Sequence, residues 1–344
     1  MTRVGYRRTG RQRRHAMIFS CRRHLAARHG TNLESGGGMP SSEAALGHGG
    51  FTSARAHQVA AEACRAVGLD ADGARLIRLG ENALFRLVRR PVIVRIARSE
   101  EYREAALLEV RVARWLAAEG FPAARIVEDV EQAVVVSGHP VTFWHLIEEG
   151  DREATYGELG AVLRDLHALP VPRGLDLPPF DALGRSALRI ERAVGIPEED
   201  RDFLRRRRVE LSRLMAKLDF ELPSGPVHGD AHTNNLMVDP QGRVHLIDFE
   251  TFCRDHGEWD LMVAAHEYDR LGWVSDEQYA AFSGAYGRDL REWPGFETLC
   301  AIQEFKMTTW LMQNVRESAE TAAEYGRRIA SLRDDHAPRN WQPG

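Results

Sequence analysis

Asp230, Asn235 and Asp248 are the residues of this chain best placed to do chemistry. They lie within the run from His228 to Glu250, HGDAHTNNLMVDPQGRVHLIDFE. Leu236-Met237-Val238 reads as a short apolar strand and Asp239-Pro240-Gln241-Gly242 as a turn of breakers. Val244 to Ile247 reads as the returning strand. With Val238 paired to Arg243 across the turn, Asn235 and Asp248 fall together at the open end of the hairpin. An amide oxygen and a carboxylate there form a hard-oxygen site suited to Mg²⁺, with phosphate oxygens and waters completing the octahedron. Asp230, just upstream, faces the same point as an unliganded carboxylate. Phosphoryl transfer asks for this set: metal ligands for a triphosphate, and a separate carboxylate to orient the attacking hydroxyl. A competing reading makes His228 and His232 ligands of a metal hydrolase, assisted by Asp230 and Asp248, but no further His cluster lies near the segment.

The same run resembles the catalytic segment of the aminoglycoside phosphotransferase and choline kinase-like family, relatives of the protein kinases. The general template is H-R-D-x-x-x-x-N followed by an Asp-led metal triad. His228-Gly229-Asp230 stands at its first positions, Asn235 at its asparagine, and Asp248-Phe249-Glu250 replaces Asp-Phe-Gly. Glycine at 229 in place of arginine is typical of the small-molecule kinases. The resemblance implies that Asp230 is the catalytic base and that Asn235 and Asp248 hold Mg²⁺. His228 reads as a buried brace of the loop. His256-Gly257-Glu258-Trp259-Asp260-Leu261 resembles the family's W-D-L element, which implies that Asp260 accepts hydrogen bonds from the catalytic loop backbone while Trp259 packs in the core.

In that family a loop between the first two strands covers the phosphates of ATP or GTP. A cation on the third strand pairs with them, and a helix glutamate steadies that cation. Gly80-Glu81-Asn82-Ala83 is the candidate loop, with Gly80 and Asn82 its nucleotide-contacting positions. Val92-Ile93-Val94-Arg95-Ile96 matches the V-A-I-K strand with Arg95 at the lysine, and no lysine precedes Lys217. A guanidinium clamps phosphate oxygens bidentately and keeps its charge. Its partner is expected at Glu109, with Glu104 the second choice; the plain alternative is an ordinary ion pair. Backbone groups around Leu146 to Glu148 are expected to meet adenine.

The elements that must position these residues follow from periodicity. A helix is predicted over Ser53–Val67, strands over Ala74–Leu79, Ala83–Val88 and Val92–Ile96, and a long helix over about Glu100–Glu119. Strands over Ala133–Val136 and Val141–Ile147 flank the turn Ser137-Gly138-His139-Pro140. Helices follow over Glu153–Ala168 and about Glu198–Leu218, with a proline-rich loop from Leu169 to Pro179 between them, and again from Glu258 onward. This order predicts a bilobal, protein kinase-like α+β fold. The expected domains are a tail over 1–50, a nucleotide-binding N-lobe over 51–147 and a catalytic, acceptor-binding C-lobe over 148–344.

At 344 residues and 43% apolar content the chain has the make-up of a globular enzyme, and no apolar run approaches the ~20 residues needed to span a bilayer. Cys21, Cys64, Cys253 and Cys300 are scattered without C-x-x-C pairing, so neither zinc nor a disulfide framework is indicated and a reducing cytoplasm is expected. Residues 1–50 carry nine arginines against Glu34 and Glu43, a balance of +7 within a chain of net −4. Such a tail could touch nucleic acid or lipid or act as a targeting peptide. It reads instead as a disordered, solvated segment, with Met39 a candidate start. No nucleic acid or membrane partner is expected, and oligomeric state is not legible.

The function expected is ATP-dependent phosphorylation of a hydroxyl on a small molecule, such as an aminoglycoside-type antibiotic, an amino alcohol or a sugar. The alternative is a non-catalytic nucleotide-binding regulator on the same fold. Glu250, Asp255, Glu267, Asp269 and Glu304 are the carboxylates that could line a cleft for a cationic acceptor.

Overall fold

The computed structural model describes residues 51–80, 82–334 and 336–342. The basic tail, Cys21, Met39 and Glu81 lie outside these. Thr52 starts helix α1 (Ser53–Ala66) by accepting the Arg55 amide on its hydroxyl at 3.2 Å. Strands β1 (Arg75–Leu79), β2 (Asn82–Arg86) and β3 (Val92–Ala97) follow, then helix α2 (Arg103–Ala118) and strands β4 (Val134–Val136) and β5 (His139–His145). They form an antiparallel sheet in the order β1-β2-β3-β5-β4. The helix expected from Glu100 opens with a 3-10 turn over Glu100–Tyr102, and the turn before β5 is shorter than expected. Ser137 and Gly138 both take positive φ, so they alone make the hairpin and the strand resumes at His139.

The sheet is covered on both faces, and strand alternation assigns each residue to one of them. Ala83, Phe85, Val94, Ile96 and Phe143 pack under α1. Leu84, Ile93 and Trp144 face the other way, into the core shared with α2 and the helical lobe. Arg95 lies two residues from Ile93, opposite Leu84 and Thr142, and so on the α2 face. A charge is thereby delivered into a buried layer.

The second lobe is mainly helical: α3 (Tyr156–His167), α4 (Gly184–Arg192), α5 (Glu198–Met215), then strands β6 (Ser224–Val227), β7 (Leu236–Val238), β8 (Val244–Leu246) and β9 (Cys253–His256). Helices α6 (Glu258–Asp269), α7 (Asp276–Tyr286), α8 (Phe296–Leu311) and α9 (Ala319–Arg333) complete it. Helix α3 starts at Tyr156 and not at Glu153, because Thr155 and Glu158 form a reciprocal capping box. Helix α4 and the pair β6-β9 were not anticipated. GRSALRIER is amphipathic but short and arginine-rich, and SGPV and CRDH carry no apolar alternation and owe their form to pairing with each other. No helix among the described residues is long and apolar enough to cross a membrane.

The β7-β8 hairpin corrects one expected register. Val238 pairs with Val244, not Arg243. The Asp239 carboxylate accepts the amides of Gln241 and Arg243 at 2.9 and 3.0 Å, which draws Arg243 into the turn. The hairpin also reaches across to the first lobe, where Ala124 N donates to Leu246 O at 2.8 Å and Leu246 N to Pro122 O at 2.9 Å.

Candidate active site

Strand β6 ends at Val227, and the chain then turns through His228-Gly229-Asp230. Asp260, in the first turn of α6 and fully buried, accepts the His228 and Gly229 amides at 2.8 Å each, one on each carboxylate oxygen. These are charge-assisted bonds made out of water, which hold the loop more firmly than neutral ones would. His167, at the end of α3, reaches the same carboxylate with Nε2 at 3.0 Å. Its part was not legible in the sequence, because His167 is remote from every motif. Gly229 has φ +81°, and a Cβ there would meet Thr251 O at 2.5 Å. Backbone conformation and available space both require glycine at this position.

His228 is buried and uses both ring nitrogens. Nδ1 lies 3.3 Å from the Asp230 amide, so it accepts, and Nε2 donates to Ile247 O at 2.9 Å. The ring thus braces Asp230 against the strand leading to Asp248 and has no lone pair left for a metal. Among the described residues no His, Cys, Asp and Glu side chains gather in threes to hold a metal ion. The hydrolase arrangement is therefore not formed.

Asn235 and Asp248 are brought together by the hairpin, Ile247 N donating to Asn235 O at 3.0 Å. The Asn235 amide is oriented by its Nδ2 group, which donates to Asp230 O at 2.7 Å. Its Oδ1 is buried without a partner, and so is Asp248 Oδ1. Asp248 holds a left-handed backbone, φ +66°, a cost of roughly 1–2 kcal/mol for a side chain with a Cβ. The packing of Phe249 against Trp144 and Phe252 keeps it there. Burial raises the Asp248 pKa; Arg95 opposes this, while Glu250 and Asp230 add to it. Two orphaned hard oxygens in a region of surplus negative charge fit Mg²⁺, with phosphate oxygens supplying further ligands.

Arg95 and Glu109 form a hydrogen-bonded ion pair between β3 and α2, with side chains 6% and 3% exposed. Burial disfavours the guanidinium, but Glu109, Asp248 and Glu250 outweigh it and raise its pKa, so Arg95 keeps its charge. Glu104 is exposed in the first turn of α2 and takes no part. Glu250 adds a contact that motif reasoning did not supply: its carboxylate meets Arg95 at 3.3 Å and Arg185 of α4 at 3.0 Å. Asn82 lines a small recess with Arg95, Glu109 and Glu250, and Arg98 donates to Gly80 O at 2.8 Å. In the expected adenine segment, Leu146 N is already engaged by Pro91 O at 2.8 Å.

Asp230 itself is the open member of the cluster, with 47% of its side-chain surface exposed. Burial acts to raise its pKa, but His232, then Lys306 and His228, outweigh that and hold the carboxyl below its usual range. His232 Nε2 lies 3.4 Å from Asp230 Oδ2. An ionised, accessible carboxylate on a pinned loop can accept a proton from a bound alcohol.

The acidic residues considered for a cationic acceptor are all engaged by protein groups. Asp255 takes the His256 amide and Trp259 Nε1, and Glu267 takes Tyr156 OH at 3.0 Å. Asp269 pairs with Arg270, Glu304 with Arg339, and Glu250 as described.

Residues 74–299 match the model of the phosphotransferase enzyme family, APH. The chain belongs to this family. Its fold is also that of several solved small-molecule kinases. One is the amicoumacin kinase hAmiN in complex with AMP-PNP, Ca²⁺ and Ami, 16% identical over 79% of this chain and 91% of that one, TM-score 0.60. Another is a microcompartment-associated aminopropanol kinase, 21% identical over 80% and 94%, TM-score 0.62. A third is spectinomycin phosphotransferase APH(9)-Ia with ADP and spectinomycin, 14% identical over 82% and 95%, TM-score 0.54. No curated protein matches the chain. At these identities the likeness establishes the protein kinase-like fold and not the acceptor.

Proposed function

We propose that this member of the phosphotransferase family transfers the γ-phosphoryl group of ATP, or GTP, to a hydroxyl of a small molecule in the cytoplasm. The observation that carries the reading is the accessible Asp230 carboxylate, held on a loop pinned by Asp260, beside the orphaned oxygens of Asn235 and Asp248. Asp230 orients the acceptor hydroxyl and takes its proton. The hydroxyl oxygen forms its new bond to the γ-phosphorus while the bond to the bridging oxygen breaks, and the nucleoside diphosphate leaves. Arg95, steadied by Glu109, holds the donor phosphates. Asn235 and Asp248 would hold Mg²⁺, which when bound neutralises charge on the phosphates. His228 and Asp260 support the loop, and Gly80 and Asn82, at the turn between β1 and β2, would contact the phosphates.

The test is nucleoside diphosphate release by the purified protein across hydroxylated metabolites and antibiotics. Acceptor-stimulated release that requires Mg²⁺ is the expected result. Tight ATP binding with no stimulation across a broad panel would favour a regulator.

A further inference from the structure

Only two lysines occur in the chain, and one of them, Lys306, lies on α8 close enough for its charge to act on Asp230. Its ammonium sits 5.0 Å from the centre of the Phe180 ring. That ring abuts Gly229, since a Cβ built there would meet it at 3.2 Å. No ion pair holds Lys306 among the described residues, although it is only partly exposed. Helix α4 packs against α8 and brings Arg185 and Arg189, one turn apart and so on one face, toward the same place. Arg185 and Arg95 each hold one carboxylate oxygen of Glu250. Burial, together with both α4 arginines, depresses the Lys306 pKa, and Asp230 opposes them. Lys306 is thus a cation near Asp230 with no ion-paired carboxylate among the described residues, whereas Arg185 is bound to Glu250.

We infer that the acceptor is an alcohol bearing an anionic group, a carboxylate or a phosphate, that binds Lys306. This rests on the phosphotransfer reading and narrows its substrate class. An anion completes the coordination of a partly desolvated ammonium, whereas an amine in the same place meets like charge. The cation then anchors the acceptor's acid end while its hydroxyl faces Asp230, and discrimination arises as much from repulsion of amines as from attraction of acids.

The experiment compares glycerate, gluconate and glycerol 3-phosphate with ethanolamine, 1-amino-2-propanol and kanamycin, using wild type, Lys306→Gln and Lys306→Arg. Each is read by diphosphate release and by the melting temperature with Mg²⁺ and ADP present. Turnover confined to the acids is expected. Lys306→Gln should raise the acceptor KM by roughly tenfold or more, the loss of one charge-assisted bond. The KM for ATP should stay unchanged, and Lys306→Arg should recover most of the loss. An acid should raise the melting temperature of the wild type and not of Lys306→Gln, which reads the anion site without turnover. If carboxylate and phosphate alcohols differ, that difference identifies the group recognised. Preferential turnover of amines, or an acid-induced shift unchanged in Lys306→Gln, would overturn the inference while leaving phosphotransfer intact. A Lys306→Gln defect in the KM for ATP alone would assign the cation to the nucleotide and also overturn it. An acid-induced shift without turnover of any alcohol would instead contradict the phosphotransfer reading.

Discussion

Arg95 and Glu109 meet in an ion pair that is almost wholly removed from water, between the third strand and the helix that covers it. Breaking a buried pair by removing one partner leaves an uncompensated charge. Arg95→Ala should therefore lower stability, raise the KM for ATP and lower turnover. Arg95→Lys should recover part of the nucleotide affinity as a point charge without the planar fork. Glu109→Gln should give a milder form of the same kinetic defect. Combined with Arg95→Ala, it should add little to the loss from Arg95→Ala alone, because the two residues act as one unit. Full additivity of the kinetic losses would show that Glu109 does not steady Arg95 for the donor.

Asn235→Ala and Asp248→Ala should each weaken Mg²⁺-ATP binding. Asp248 should be the more severe, because it supplies the charge. The measurement is a Mg²⁺ titration at fixed ATP. An unchanged Mg²⁺ requirement in both variants would place the metal elsewhere.

Asp260→Ala should loosen the catalytic loop, because the His228 and Gly229 amides lose their buried acceptor at a cost of about 3 kcal/mol. Urea unfolding should show an earlier midpoint, and turnover should fall more than ATP affinity. Wild-type turnover in a folded Asp260→Ala protein would mean that the loop holds its shape without this support.

Gly229→Ala should be as damaging by a different route, since the added Cβ meets Thr251 O at 2.5 Å in a left-handed backbone. Its effect should appear in stability and turnover together. An unfolding midpoint equal to wild type would show that the loop relaxes around the methyl group.

The sequence motif was legible because its parts are local. His228 to Glu250 forms one hairpin, so spacing alone placed Asn235 near Asp248. Arg95 was found through the match of its strand to V-A-I-K, and the pairing of β3 then places it on the α2 face. The turn register was misread by one residue because the pull of Asp239 on the Arg243 amide is a side-chain effect that periodicity does not show. What stayed hidden came from distant segments. Lys306, Arg185 and His167 carry no motif, and only the packing of α8, α4 and α3 around the loop brings them to Asp230, Glu250 and Asp260. The partners of the candidate acidic residues stayed hidden for the same reason. Composition counts carboxylates but does not show that arginines, ring N–H groups, a tyrosine hydroxyl and backbone amides already occupy them.

Asp230 receives the acceptor proton in the proposed transfer, so Asp230→Asn should all but stop turnover without releasing the nucleotide. The measurement is acceptor-dependent diphosphate release by the purified variant, with ATP binding followed in parallel. ATP affinity should be close to wild type, and turnover should fall by roughly 10²–10⁴. Near wild-type turnover in Asp230→Asn with the acceptor bound would show that Asp230 is not the base.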